Sequence, residues 1–150
     1  MIRIPHRGLK TRWVAILCGI AIFLWMGPED LNVWPVVMLS VLVSILLVSV
    51  QLMRRYGGTM LSRNQIFTFA VVGGGICGLL TSPIAAALMI LKNARHAHLT
   101  PDYLPQQMLA IMQRAPLWAI SGSLIALGIA LIWITFGPAS MNPAGTPDRK

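Results

Sequence analysis

Four apolar blocks, at 13–27, 33–53, 66–91 and 117–136, alternate with short polar connections along the 150-residue chain. The third block is the longest and holds no Asp, Glu, Lys, Arg or His before it breaks into Lys92, Asn93, Arg95, His96 and His98. As a helix it would be roughly 39 Å long, more than the ~30 Å hydrocarbon thickness of a bilayer, so it must tilt, bend or protrude. Pro83 lies inside it and predicts a kink near 81–83, with the hydroxyls of Thr81 and Ser82 available for carbonyls freed there. The first block spans only about 21 Å in its uninterrupted apolar part and is short for a crossing.

The connections carry their own signals. Asn32 and Pro35 suit the start of the second helix, because Asn caps free amides and Pro lacks the amide that would be wasted there. Arg54, Arg55 and Tyr56 running into Gly57 and Gly58 form a helix stop at an interface. In the longest connection, Pro101 and Pro105 bracket Asp102 and Tyr103 in an extended turn. Leu104, Met108, Ile111 and Met112 then recur at helical spacing opposite Gln106, Gln107 and Gln113. This predicts an amphipathic helix at about 104–114, lying on the membrane surface and closed by Pro116.

The expected fold is therefore an all-α integral membrane protein: four transmembrane helices and one short interfacial helix. Residues 1–12 form a basic N-tail, 13–136 the membrane domain and 137–150 a flexible C-tail. With 56% hydrophobic and 11% charged residues and a mean hydropathy of +0.71, the composition belongs to membrane proteins. The net charge of +8 is spread over the connections without a basic face interleaved with aromatics, so it orients the chain rather than binding nucleic acid. Residues 1–12 resemble the n-region of a signal peptide, but the first block ends in Gly27, Pro28, Glu29 and Asp30 with no small-x-small cleavage site, which favours a retained anchor. Under alternation, nine Lys and Arg fall on the side of both termini and three on the other. That places both ends in the cytoplasm of a multi-pass inner or plasma-membrane protein. Trp13 and Tyr56 fit the inner aromatic belt, and Trp25, Trp34 and Trp118 the outer one.

Candidate chemistry is sparse. The blocks lack the ionisable groups that proton relays and charged-substrate carriers keep at depth, and no Ser/His/Asp grouping, HExxH, CxxC or phosphate loop occurs. An enzyme is not expected. Cys18 and Cys77 sit in different blocks and read as small apolar filler. Ala70, Gly74, Gly78, Ser82 and Ala86 recur every fourth residue, and Gly122, Ala126 and Ala130 form a second such face. In lipid these are helix-packing surfaces, turned either to the protein's own helices or to a partner chain, a lipid, or a flat ring such as a carotenoid or chlorin.

His96, His98 and Asp102 are the one cluster of potential ligands for a metal, haem or pigment. Residues i and i+2 diverge on a helix, so the histidines share a metal only if the helix has ended by Arg95. Otherwise they are interfacial groups closing a long helix. The function expected from this pattern is a non-catalytic accessory subunit of a larger membrane complex, respiratory or photosynthetic by preference, in contact with membrane lipids and other subunits. The alternatives are a small uncoupled channel or carrier running past Ser40, Ser44, Thr81 and Ser82, and a metal- or haem-binding protein using His96 and His98.

Overall fold

The computed structural model describes residues 2–3, 9–28, 32–96 and 101–136. Five helices follow in order: α1 (Leu9–Trp25), α2 (Val33–Tyr56), α3 (Arg63–His96), α4 (Pro105–Gln113) and α5 (Ala115–Phe136). Two-residue strands β1 (Ile2–Arg3) and β2 (Met60–Leu61) pair antiparallel, with Ile2 opposite Leu61 and Arg3 opposite Met60. The class is all-α. Three helices, α2, α3 and α5, are long and apolar enough to cross a membrane. The apolar part of α1, Thr11–Trp25, is shorter than these, so three candidate spans stand where the hydropathy pattern predicts four.

Each helix begins and ends for local reasons. Asn32 Oδ1 accepts from the Trp34 amide at 3.1 Å, capping α2 as expected of Asn. At its other end the Gly57 amide donates to the Met53 carbonyl, and Gly58 takes φ 87°, a conformation in which a side chain would be strained. Ser62 and Gln65 form a reciprocal capping box before α3: the Ser62 amide donates to Gln65 Oε1 at 2.9 Å and the Gln65 amide to Ser62 Oγ at 3.4 Å. Capped there, the helix starts three residues before its apolar block, and it runs five residues past the block to His96. At 34 residues it is roughly 51 Å long.

Two local expectations are corrected. Pro116 does not close α4; it is the second residue of α5, where a missing amide costs nothing, and α4 ends three residues earlier at Gln113. Thr81 and Ser82 do not serve the carbonyl that Pro83 leaves free at Leu79. Thr81 Oγ1 donates to the Cys77 carbonyl at 3.0 Å, the ordinary i−4 bond of a helical Thr. Ser82 Oγ is buried with no partner among the described residues. Helix α3 continues through Pro83 without interruption.

Packing is built on α3, which meets α2, α4 and α5, while α1 lies chiefly along α2. The facing residues give the directions. Gly74 meets Gly122 and Ala126 while Gly78 meets Trp118 and Ala119, so α3 and α5 are antiparallel. Gly73 lies beside Leu52, and Cys77 Sγ reaches the Ser44 carbonyl at 3.7 Å, so α2 and α3 are antiparallel too. One end of the bundle thus gathers Trp25, Asn32, Lys92, α4 and Trp118, and the other Arg12, Arg54 and Arg55. The buried core, formed by Val36, Val37, Leu39, Ala85, Leu88, Met89, Tyr103 and Ile111, sits toward the first of these ends.

Candidate functional site

Helices α3 and α5 touch backbone to backbone. A Cβ on Gly78 would overlap the Trp118 carbonyl and stand 2.9 Å from Ala119 Cα; one on Gly74 would overlap the Gly122 carbonyl and stand 2.6 Å from Ala126 Cβ. Ser123 Oγ, beside Gly75, donates across this contact to the Val71 carbonyl at 3.0 Å. Gly74, Gly78, Gly122 and Ala126 therefore line one internal interface, of the kind small residues permit in lipid. Ala70 and Ala86 are half-buried, and Ser82 and Ala130 are buried.

On α2 two serine hydroxyls are bonded within their own helix. Ser40 and Ser44 are fully buried, and their hydroxyls donate to carbonyls of their own helix, Val37 at 2.7 Å and Ser40 at 2.8 Å. Neither cysteine is in a disulfide. Cys77 is more than filler, since its thiol links α3 to α2 through the Ser44 carbonyl.

Chemical groups concentrate at the end of the bundle carrying α4. Lys92, the first charge after the apolar block, is 0% exposed. Its Nζ lies 4.8 Å from the centre of the Trp25 ring and 5.7 Å from that of Tyr103, within cation–π range of both. The two rings stack with centroids 6.5 Å apart and planes 29° apart. Tyr103, also fully buried, donates its hydroxyl to the Asn32 carbonyl at 3.1 Å. Asn93 holds the Tyr103 backbone on both sides, accepting from its amide at 3.0 Å and donating to its carbonyl at 2.8 Å. Four segments are thereby fastened at one point: the end of α1, the start of α2, the last turn of α3 and the turn before α4. Arg95 adds an outer contact, 5.1 Å over the Phe23 ring.

Beside this cluster, α2, α3, α4 and α5 enclose a cleft of about 350 Å³. Val33, Val37, Ala85 and Ile111 form its apolar wall, Trp34 and Trp118 flank it, and Thr81, Gln107 and Arg114 supply polar groups. Helix α4 buries Ile111 and half-buries Met108, whereas Leu104, Leu109 and Met112 remain exposed. A second, more apolar groove of about 470 Å³ runs between α1 and α2 past Cys18, Leu42 and Ser49.

Only part of the His96, His98 and Asp102 cluster falls within the described residues. Helix α3 continues through His96, so the condition for the two histidines to share a metal is not met at Arg95. His98 lies outside the described residues, and Asp102 is half-buried in the turn. Tyr103, next to Asp102, has its hydroxyl committed to the Asn32 carbonyl. Among the described residues no group of three or more His, Cys, Asp or Glu is placed to hold a metal ion. Hydropathy alone made Lys92 a loop residue. The signal that locates its partners is that Trp25 and Lys92 each end an apolar block on the same side of the bundle. Comparison with family models, curated proteins and solved structures finds no match.

Proposed function

We propose that the chain is a non-catalytic accessory subunit of a larger membrane assembly, with respiratory and photosynthetic complexes the first to test. In this reading α1 is a fourth span and both chain ends lie in the cytoplasm. The antiparallel neighbours support this, because they group Arg12, Arg54 and Arg55 at one end of the bundle and so keep most of the basic residues on one side. The observation that carries the proposal is the division of the surface of α5. Its small-residue stripe is spent on α3, while Leu117, Ile120, Leu124, Ile125, Ile129 and Ile132 are all more than half exposed. Such a surface suits contact with lipid and with other transmembrane helices, and it carries no group for chemistry.

The buried and internally bonded hydroxyls of Ser40, Ser44 and Thr81 weigh against a solute path along them. Extraction of the tagged full chain in a mild detergent, followed by native gel separation and identification of co-migrating chains, tests the reading. Larger subunits at fixed stoichiometry are expected. Recovery of the chain alone, together with solute flux when it is reconstituted in liposomes, would refute it.

A further inference from the structure

The cleft between α2, α3, α4 and α5 has the dimensions and lining of a binding site. Its volume of about 350 Å³ falls within the range of small-molecule pockets, roughly 300–1,000 Å³, which are mostly apolar with a few polar groups. Donors predominate among those polar groups. Arg114 brings a guanidinium with five N–H donors and no acceptor. Gln107 has its oxygen engaged by the Leu104 amide at 3.1 Å, which leaves its NH₂ as the free function. Trp34 and Trp118 can only donate, and Thr81, whose hydroxyl hydrogen goes to the Cys77 carbonyl, is the one acceptor among these side chains. Among the described residues no carboxylate lines the cleft. A ligand for it has an acceptor-rich, negatively charged head and an apolar body.

The position of the cleft narrows the class. Trp34 and Trp118 are the first-turn tryptophans of α2 and α5, the depth at which indoles sit between headgroups and hydrocarbon. Arg114 ends α4, beyond the apolar length of α5. A molecule with its head on Arg114 and its body against Val37, Ala85 and Ile111 therefore crosses from the headgroup layer into the hydrocarbon.

We propose that this cleft is a specific phospholipid site, in which the phosphate pairs with the Arg114 guanidinium and one acyl chain fills the space between α2, α3 and α4. Guanidinium suits phosphate because its planar fork can donate two parallel hydrogen bonds. The inference rests on the chain being embedded in a membrane and not on its having partner subunits.

The test uses the purified full-length chain, delipidated in detergent and then titrated with a single phospholipid, and reads bound lipid by native mass spectrometry. One lipid per chain is expected to persist at detergent concentrations that strip the others. Arg114→Gln is expected to weaken its binding by roughly tenfold or more, the loss of a charge-assisted hydrogen bond. Ala110→Phe, on the exposed rim of α4, should block the cleft to a similar extent while keeping the arginine. Arg54→Gln, an exposed cation at the opposite end, should leave binding unchanged. Diacylglycerol with the same chains should bind more weakly than the phospholipid, and inorganic phosphate should not displace it. Equal lipid retention by wild type, Arg114→Gln and Ala110→Phe would overturn the proposal. So would an equal loss in Arg54→Gln, or displacement by inorganic phosphate alone. Helix content by circular dichroism separates loss of binding from loss of fold, and Ala110→Phe still decides the matter if Arg114→Gln does not fold.

Discussion

Placing a single methyl group at Gly78 tests the helix contact on which the packing depends. Built on the present backbone, that methyl would overlap the Trp118 carbonyl oxygen and lie 2.5 Å from the carbonyl carbon and 2.9 Å from Ala119 Cα. Ordinary carbon contacts are near 3.5–4.0 Å, so α5 must retreat by about 1 Å along this stretch. These are main-chain atoms of a neighbouring helix, and no side chain can rotate aside to absorb the strain. A gap of 0.5–1 Å forfeits about a quarter to a half of each dispersion well, and one well is about 0.1–0.2 kcal/mol. If on the order of 40 atom pairs span the contact, comparable to those of one buried Leu, the loss is about 1–4 kcal/mol. That range contains the usual cost of overpacking, about 1–3 kcal/mol. The internal control is Gly128→Ala on α5, where a Cβ meets nothing within 4 Å and the helix gains propensity. Thermal unfolding in detergent, followed by circular dichroism, should show Gly78→Ala well below wild type and Gly128→Ala equal to it or above. If Gly78→Ala unfolds at or above the temperature of Gly128→Ala, the backbone contact between α3 and α5 is wrong.

Three other substitutions address buried polar groups. Ser82→Ala removes a fully buried hydroxyl that has no partner among the described residues, and it should be neutral or stabilise by up to about 1 kcal/mol in the same melt. A loss above that size would mean that the hydroxyl is satisfied. Asn93→Leu deletes both hydrogen bonds to the Tyr103 backbone, at about 1 kcal/mol each, and removes the side-chain acceptor that holds that amide against exchange. Hydrogen–deuterium exchange should quicken at 102–104 and not in the middle of α5. Lys92→Met keeps the chain length but removes the cation from between Trp25 and Tyr103, worth about 2 kcal/mol where desolvated. Trp25 fluorescence should change and the end of α1 should become more accessible to protease, whereas an unaltered spectrum and cleavage pattern would contradict the cluster.

The four apolar blocks and the amphipathic spacing at 104–114 located the five described helices but misjudged several ends. Hydropathy reports where lipid would be tolerated, whereas a helix continues as long as its backbone bonds are made and its first amides are capped. The Ser62–Gln65 capping box and the polar turn from Lys92 to His96 therefore extend α3 beyond its block at both ends. Pro116 was ambiguous for a similar reason: a proline ends one helix or opens the next with equal ease, and only the position of the Gln113 terminus decides between them. The spacing of Gly74, Gly78, Gly122 and Ala126 was legible because a four-residue period marks one face of a helix. The Lys92 cluster was not, since its members come from positions 25, 32, 92, 93 and 103, which share no period. The cleft depends on the shapes of four helices at once and has no signature along the chain.

The short pairing of Ile2–Arg3 with Met60–Leu61 has a mechanical consequence. Helix α1 has little lateral purchase, lying mainly along α2, yet it is tethered beyond both ends: by this pairing before it begins, and by the Trp25 ring against Lys92 and Tyr103 where it stops. A rod pinned in this way cannot swing outward like a gate without releasing a pin. Rolling about its own long axis would likewise lift the Trp25 ring off Lys92 and Tyr103, so the two pins together fix both where α1 lies and which of its faces turns outward.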